Sequence, residues 1–303
     1  MGVRRLYAIM ARMPKTQRKQ TVAAPEESAF FAKPFSLKGR VAVVTGGQGN
    51  LGSEFARVLS GAGAAVAVLD IKATPNPSIA KLAESGAAVK SFRADLTDKK
   101  ETERAFAEIF ASFGAPDILI NNAGLAAHPS APVGENGPFE TYPEEAWNAM
   151  IDSHLKGMLL VSQAFMQHYR AANKKEGSII NISSTYGIVS PEQALYDFRR
   201  AQGGAYYKPV GYSVAKAGVL GFTRWLAEYC AFEKTGIRVN TLVPGGVEAG
   251  QSAVFISEYE KRTMLGRMAQ NIDYNGAILF LASDASAYMT GATLVVDGGW
   301  TAR

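Results

Sequence analysis

The sequence predicts an α/β protein: one doubly wound parallel sheet of about seven strands, with helices on both faces. Three observations predict it. Short β-branched runs alternate with helix-patterned segments along most of the chain. The first run passes through a glycine-rich turn directly into a helix, and the second ends on an acid, Asp70. No shift in composition divides residues 37–303, so they read as one domain, preceded by a basic extension over residues 1–36.

The elements follow in order. Residues 26–36 are a linker beginning after Pro25 and containing Pro34, and order is expected to begin near Leu37. Val41 to Thr45 is a continuous β-branched run, the mark of a strand buried on both faces. The turn Gly46 to Gly52 comes next, and a helix runs from Leu51 to about Ser60, stopped by Gly61 and Gly63. Ala64 to Leu69 is the second buried strand. Helix is expected near Ser78–Glu84, strand at Ala88–Arg93, helix at Lys99–Phe113 and strand at Asp117–Asn121. A loop rich in Pro and Gly, Leu125–Thr141, leads into one long helix from about Glu144 to Ala171. Strand Ser178–Ser183, an irregular segment Thr185–Lys208 and an apolar-periodic helix Val210–Lys234 follow. The chain closes with strand Arg238–Val243, helical segments around Ser257–Met264 and Tyr274–Ser283, and strand Thr293–Asp297.

Composition narrows the function. Of 303 residues, 47% are hydrophobic and 19% charged, which gives ample material for a core. The single cysteine, Cys230, rules out an intrachain disulfide or a cysteine metal cluster. The histidines His128, His154 and His168 share no short ligand spacing, so no metal is expected. Residues 1–25 hold six basic side chains and no acid. The net charge of +5 therefore belongs to this tail, and the remainder is close to neutral. A basic nucleic-acid face is not expected. The tail fits an organellar presequence, a disordered extension or a mis-assigned start. Its apolar stretch is too short for a signal peptide or a membrane span, so the protein is placed in the cytoplasm with the presequence left open.

Two clusters carry chemistry. In Thr45-Gly-Gly-Gln-Gly-Asn-Leu-Gly52, glycines let the backbone turn tightly and approach a pyrophosphate, which rests on the positive end of the following helix. Asp70 is placed to accept hydrogen bonds from ribose hydroxyls and to repel a 2′-phosphate. That favours NAD over NADP, against which Lys72 is the nearest counter-argument. The second cluster is Tyr212-Ser-Val-Ala-Lys216. A spacing of four puts the phenol and the ammonium one helical turn apart. A cation about 4–6 Å away favours the phenolate, so such a pair can move a proton near neutral pH.

With these motifs the chain, from roughly Leu37 to Trp300, resembles the short-chain dehydrogenase/reductase family of Rossmann-fold oxidoreductases. The glycine turn is similar to the family's, with Asn50 where its middle glycine is usual. Asp95-Leu96 resembles an adenine-edge contact, and Asn121-Asn122-Ala123-Gly124 the fourth-strand motif along the cofactor. Pro244-Gly245 resembles the motif near the nicotinamide, with Ala249 where a threonine is usual. Asp297-Gly-Gly-Trp300 matches the family's ending. The resemblance implies cofactor contacts from Gly46, Gln48, Asn50, Leu51, Gly52, Asp70, Ile71, Asp95, Leu96, Asn122, Ala123, Gly124, Tyr212, Lys216, Pro244, Gly245 and Val247. It implies Ser184 as the hydroxyl that holds a carbonyl oxygen, with Ser183 as the neighbouring alternative. Tyr212 would be the proton donor or acceptor, and Lys216 its modulator and ribose contact.

His154 stands where the family usually has a water-holding asparagine. A proton relay is expected of it, since an imidazole pKa of about 6.5 suits the task; a structural histidine bonding a helix carbonyl and a crippled site are the alternatives. Tyr212 follows Ser184 by 28 positions, where the family commonly has about half that. The extra loop carries Tyr186, Arg199, Arg200 and Tyr207, among other aromatic and basic residues, and suits a polar, anionic substrate such as a sugar acid. The function implied is hydride transfer between NAD and a secondary alcohol or ketone of a small polar molecule: a sugar, sugar acid or polyol. A 3-oxoacyl carrier-protein reductase and a non-catalytic dinucleotide sensor are the alternatives. The Glu144–Ala171 and Val210–Lys234 helices resemble the family's subunit interface, which implies a homotetramer or homodimer.

Overall fold

A computed structural model describes residues 32–126, 136–201 and 206–302. Its sheet grows outward from the most apolar run. β1 (Val41–Thr45) lies between β2 (Ala65–Asp70) and β4 (Ile118–Asn121), and all three are buried along almost their whole length. Outside them lie β3 (Val89–Arg93) on one side and β5 (Gly177–Ile182), β6 (Ile237–Pro244) and β7 (Thr293–Val296) on the other. The order is β3-β2-β1-β4-β5-β6-β7, and every pair is parallel. The edge strand β7 alternates in burial, as a strand with only one well-covered face does, whereas β3 buries Val89 on one face and Phe92 on the other.

Strand alternation divides the core into two layers. Ala42 and Val44 of β1 face α1 (Asn50–Gly61) and α9 (Asn275–Ala282), where Phe55, Leu59, Ile278 and Leu281 cover them. Val43 faces the other way, toward Phe106 and Ile109 of α3 (Lys99–Phe113), Phe165 of α5 (Gly157–Ala171) and Leu226 of α7 (Val210–Phe232). The remaining helices are α2 (Pro77–Glu84), α4 (Glu144–Ile151), α6 (Asp197–Arg200) and α8 (Ala253–Glu260). A third, small core of Leu195, Tyr196, Tyr206, Phe255, Tyr259 and Met268 joins the segment before α7 to α8.

Two helices depart from the sequence expectation. The predicted helix Glu144–Ala171 is interrupted by a π turn, Asp152–Lys156, which carries His154. The expected helix Ser257–Met264 is instead α8, Ala253–Glu260. It starts early because the Ser252 hydroxyl caps it, accepting from the Phe255 N–H. None of the described helices is long and apolar enough to cross a membrane. His128 and the basic tail up to residue 31 lie outside the described residues.

Between β1 and β4 the direction of winding reverses, so the loops leaving their C-terminal ends diverge and open a crevice. Asp70, Asn122, Ser184 and Gly245 all lie at or just beyond the C-terminal ends of their strands, on this one rim.

Candidate active site

The glycine turn is shaped by contact as well as by conformation. Gly46 has φ +61°, and a Cβ on it would stand 2.8 Å from the Ala123 Cα. A Cβ on Gly52 would meet the Gly46 carbonyl oxygen at 2.2 Å, so backbone packs on backbone here. Asn50 departs from the family pattern without cost, because it opens α1 with ordinary helical geometry and its Oδ1 accepts from Asn271 Nδ2 at 3.1 Å. The N-cap residue of α1 is Gly49, which has no side chain to occupy the helix's first N–H groups; these suit an anion. Asn122 clamps the turn from β4: its Nδ2 donates to the Thr45 carbonyl at 3.0 Å, and the Thr45 hydroxyl accepts from the N–H groups of Asn122 and Ala123.

At the end of β2, the Asp70 carboxylate accepts from the Gln48 N–H and the Lys72 N–H, both at 3.0 Å. It still borders a cavity of about 410 Å³ with Gly46, Ile71, Asp95, Leu96 and Ala123. Gln48 differs from expectation. Its side chain turns inward, donating to Ser91 Oγ and accepting from the Asn76 N–H, so it braces the loop and does not line the cavity. A second cavity, of about 340 Å³, holds His154, Ser184, Tyr212, Lys216, Pro244, Gly245 and Val247. Leu51, Asn122, Gly124 and Leu125 border both, so the two form one elongated cleft. Uncapped helix end, backbone cradle and strand-end carboxylate together fit a dinucleotide.

A buried polar network links β4, β5 and β6 to α7. Asn121 donates to Asn181 at 2.8 Å, Asn181 to Thr223 of α7 at 2.9 Å, and Thr241 of β6 to the same threonine at 2.7 Å. It ties three strand ends to the helix that bears Tyr212. The two serines then separate as strand alternation requires. The Ser183 hydroxyl donates to the Lys216 carbonyl at 2.7 Å, whereas the Ser184 and Tyr212 hydroxyls are hydrogen-bonded to each other. Lys216 is buried; its ammonium donates to the Ile182 carbonyl at 3.0 Å and lies 5.8 Å from the Tyr212 ring centroid.

Burial pushes the Lys216 ammonium down to about 8. Burial also raises the Tyr212 phenol above its ordinary value, and the Ser184 hydrogen bond offsets only part of that rise. The sequence expectation of a phenol lowered by its lysine is therefore reversed in this state. The ammonium is drawn to the Ile182 carbonyl, while the phenol loses its hydration.

His154 is 3% exposed, and its pKa is pushed down to about 3, chiefly by burial and next by the charge of Lys216. Its Nε2 lies 3.1 Å from the Leu125 carbonyl. A carbonyl only accepts, so Nε2 carries the proton and Nδ1 is bare. The ring packs edge-on against Tyr212, with centroids 5.6 Å apart. It also fills the space beside Gly124, where a Cβ would meet the imidazole at 2.1 Å. The pKa of about 6.5 on which a proton relay was expected does not hold: this ring stays neutral near pH 7. The alternative, a structural histidine bonding a helix carbonyl, is met only in part: the ring bonds a carbonyl, but that of Leu125 in the loop after β4.

The long segment before α7 is ordered around its own core. Tyr186 and Tyr207 line an outer cavity of about 610 Å³, but Arg199 and Arg200 do not. Arg200 is engaged by Asp197 and by the Gln193 carbonyl at 2.8 Å, and stacks on Tyr207; Arg199 stacks on Tyr206. The cation that reaches the cleft is Lys208, which borders both cavities. By composition it is one of the loop's basic residues, among which the sequence singles out Arg199 and Arg200 as the cations to meet the substrate. The signal was its own spacing of four from Tyr212, hidden because Pro209 starts the helix between them.

A family model described as enoyl-(acyl carrier protein) reductase matches residues 47–301. The cis-4-hydroxycyclohexanecarboxylate dehydrogenase of Sinomonas cyclohexanicum is 34% identical over 87% of this chain and 97% of its own length. The 2-dehydro-3-deoxy-D-gluconate 5-dehydrogenase of Escherichia coli (strain K12) is 33% identical over 89% of this chain and 98% of its own. Among solved structures, a short chain dehydrogenase from Leptospira borgpetersenii with bound NAD+ superposes with a TM-score of 0.76 at 34% identity, covering 89% of this chain and 95% of that one.

Proposed function

We propose, for a chain that belongs to the short-chain dehydrogenase/reductase family, the oxidation of an acidic secondary alcohol with NAD as the preferred acceptor. The protein is an NAD(P)-dependent oxidoreductase acting on CH–OH groups. The observation that carries the reading is the hydrogen-bonded Ser184–Tyr212 pair, backed by Lys216, inside a cleft that fits a dinucleotide.

A nicotinamide dinucleotide, when bound, supplies the hydride acceptor or donor. Gly46, Asn50, Leu51 and Gly52 would hold its pyrophosphate, Asp70, Ile71, Asp95 and Leu96 its adenosine half, and Asn122, Ala123, Gly124, Pro244, Gly245 and Val247 its nicotinamide half. In the oxidative direction, Tyr212 takes the alcohol proton. Ser184 hydrogen-bonds the oxygen as it becomes a carbonyl and offsets part of the rise in the phenol's pKa, while Lys216 holds its ammonium on the Ile182 carbonyl beside the Tyr212 ring. His154 is a positioning residue that holds Leu125 and packs against the Tyr212 ring. Asp70 disfavours a 2′-phosphate by like charge.

The acidity of the substrate is supported by the two relatives, whose names specify carboxylates. The lining of the reaction cavity supports it too, with no aspartate or glutamate among its described residues. We assign this activity to residues 37–303, with residues 1–36 as a basic extension. A homotetramer or homodimer is supported by Trp225 and Phe232 of α7, which are 65% and 79% exposed, and by Leu159 of α5. Light scattering that gave a monomer would contradict it.

The test is turnover. Purified protein is offered hydroxycyclohexanecarboxylates, sugar acids, polyols and hydroxy steroids with NAD+ and with NADP+, and absorbance of the reduced cofactor is followed. Acidic alcohols with NAD+ are expected to give the highest kcat/KM. No turnover of any alcohol would overturn the reading.

A further inference from the structure

Besides the Ser184–Tyr212 pair, the reaction cavity is lined by four aromatic rings from two separate parts of the chain. Tyr186 and Tyr196 come from the insertion between β5 and α7, and Phe255 and Tyr259 from α8. All four are buried, and they hold one another. The Tyr186 and Tyr196 hydroxyls are hydrogen-bonded to each other. The ring centroids of Tyr196 and Phe255 are 5.9 Å apart, and those of Phe255 and Tyr259 6.1 Å. Trp300 completes the circle: it stacks on Tyr259 at 4.3 Å and meets Tyr186 edge-on at 6.4 Å. The insertion, α8 and the last residues of the chain thus build one aromatic wall.

The hydroxyls of this wall are already engaged with the protein. The Tyr259 oxygen accepts from the Gly246 N–H at 2.6 Å, and those of Tyr186 and Tyr196 meet each other. Nearby on the same lining, Gln251 engages both ends of its amide, donating to the Val247 carbonyl at 2.9 Å and accepting from the Ala249 N–H at 2.7 Å. Met268, also buried and also lining the cavity, adds a thioether. A ligand therefore meets mostly carbon and sulfur here. The C–H groups of a ring gain by leaving water for such a surface. The several hydroxyls of an open-chain polyol would lose hydration there with few partners in return. A ring also has fewer torsions to freeze on binding.

We infer that this wall makes the enzyme selective for a ring: the secondary alcohol that meets Tyr212 and Ser184 is borne on a six-membered ring, carbocycle or pyranose, whose C–H groups pack against Tyr186, Tyr196, Phe255 and Tyr259. Phe255 is the specificity-determining residue at its centre, since its side chain is wholly apolar and adjoins both Tyr196 and Tyr259. The inference rests on the dehydrogenase reading and narrows it from secondary alcohols to cyclic ones. It also gives the insertion a purpose, because Tyr186 and Tyr196 are part of it. About two or three methylenes moved out of water correspond to roughly 10- to 100-fold in binding.

The test compares wild type, Phe255→Ala and Tyr196→Phe on two pairs of hydroxy acids, each a ring and an open chain: cis-4-hydroxycyclohexanecarboxylate with 5-hydroxyhexanoate, and methyl β-D-glucuronide with D-gluconate. Steady-state kinetics give kcat/KM, and calorimetry gives the affinity of the NADH-loaded enzyme for the same four compounds. In wild type the ring member of at least one pair is expected to lead its open-chain partner about 10- to 100-fold in both measures. The pair that shows the lead tells a carbocycle from a pyranose. Phe255→Ala is expected to shrink that ratio about tenfold or more, through loss on the ring compound. Tyr196→Phe keeps every ring and is expected to keep the ratio. Equal values for ring and chain in wild type, equal losses on both in Phe255→Ala, or loss of the ratio in Tyr196→Phe overturns the inference. Should none of the four be oxidised, the dehydrogenase reading fails, and calorimetry still decides this one: ring binding that is absent, or no tighter than chain binding, overturns it. NADH affinity in the same titrations shows whether the alanine variant is folded; if it is not, the wild-type ratio decides.

Discussion

Replacing Gly124 with alanine tests how tightly the cofactor loop and His154 depend on each other. The added Cβ would sit 2.1 Å from two imidazole atoms. Non-bonded carbons rest at about 3.5–4.0 Å, so the ring must recede by roughly 1.5 Å. It has little room, being 3% exposed and hydrogen-bonded to the Leu125 carbonyl at 3.1 Å. Overpacking costs about 1–3 kcal/mol and loss of that bond about 1 kcal/mol, so Gly124→Ala is expected to destabilise by roughly 2–4 kcal/mol. In a His154→Ala background the space is open, and the same change is expected to cost less than about 1 kcal/mol. The assay is urea unfolding followed by tryptophan fluorescence, at one protein concentration, for wild type, both single variants and the double variant. Coupling of at least about 1.5 kcal/mol is predicted. Additive costs would refute the reasoning, because the two residues would then not compete for one volume.

Two further outcomes follow from the same structure. Unfolded His154 titrates near 6.5 and the buried ring near 3, so below pH 6.5 the unfolded chain takes up a proton that the folded chain refuses. Its contribution to stability is intact above pH 6.5 and is lost as pH falls toward 3. The urea midpoint of wild type should therefore fall faster than that of His154→Asn between pH 6.5 and 4; parallel curves would contradict the assignment. Asp70→Ala removes both the charge facing a 2′-phosphate and the acceptor for the Gln48 and Lys72 N–H groups. It should lower the NAD-to-NADP ratio of kcat/KM at least about tenfold, since one lost charge interaction is worth roughly 1.4 kcal/mol or more. An unchanged ratio would place cofactor choice elsewhere.

The sheet was legible because its strands announce themselves. Val41–Val44 and Ala65–Leu69 are apolar without alternation and β-branched in part, the pattern of a strand covered on both faces. The glycine turn was equally plain, and contacts such as Gly52 against the Gly46 carbonyl show why no side chain fits there. What stayed hidden depends on burial and on long-range contact. Spacing placed Lys216 one turn from Tyr212 but gave no sign that both groups would lose their hydration, so the direction of the phenol shift came out reversed. His154 carried the ordinary imidazole pKa until the π turn buried it beside Gly124. Within the insertion, composition singled out Arg199 and Arg200, whereas packing directs Lys208 into the cleft. Charge counting shows which groups a loop owns, and only its core shows which one it presents.

The most direct test of the account is Tyr212→Phe, assayed for oxidation of the preferred acidic alcohol alongside NADH binding. The variant keeps the ring that packs on His154 and removes only the hydroxyl paired with Ser184. Turnover is predicted to fall by about 10²-fold or more, with NADH affinity close to that of wild type. Undiminished turnover would contradict the claim that this phenol moves the proton.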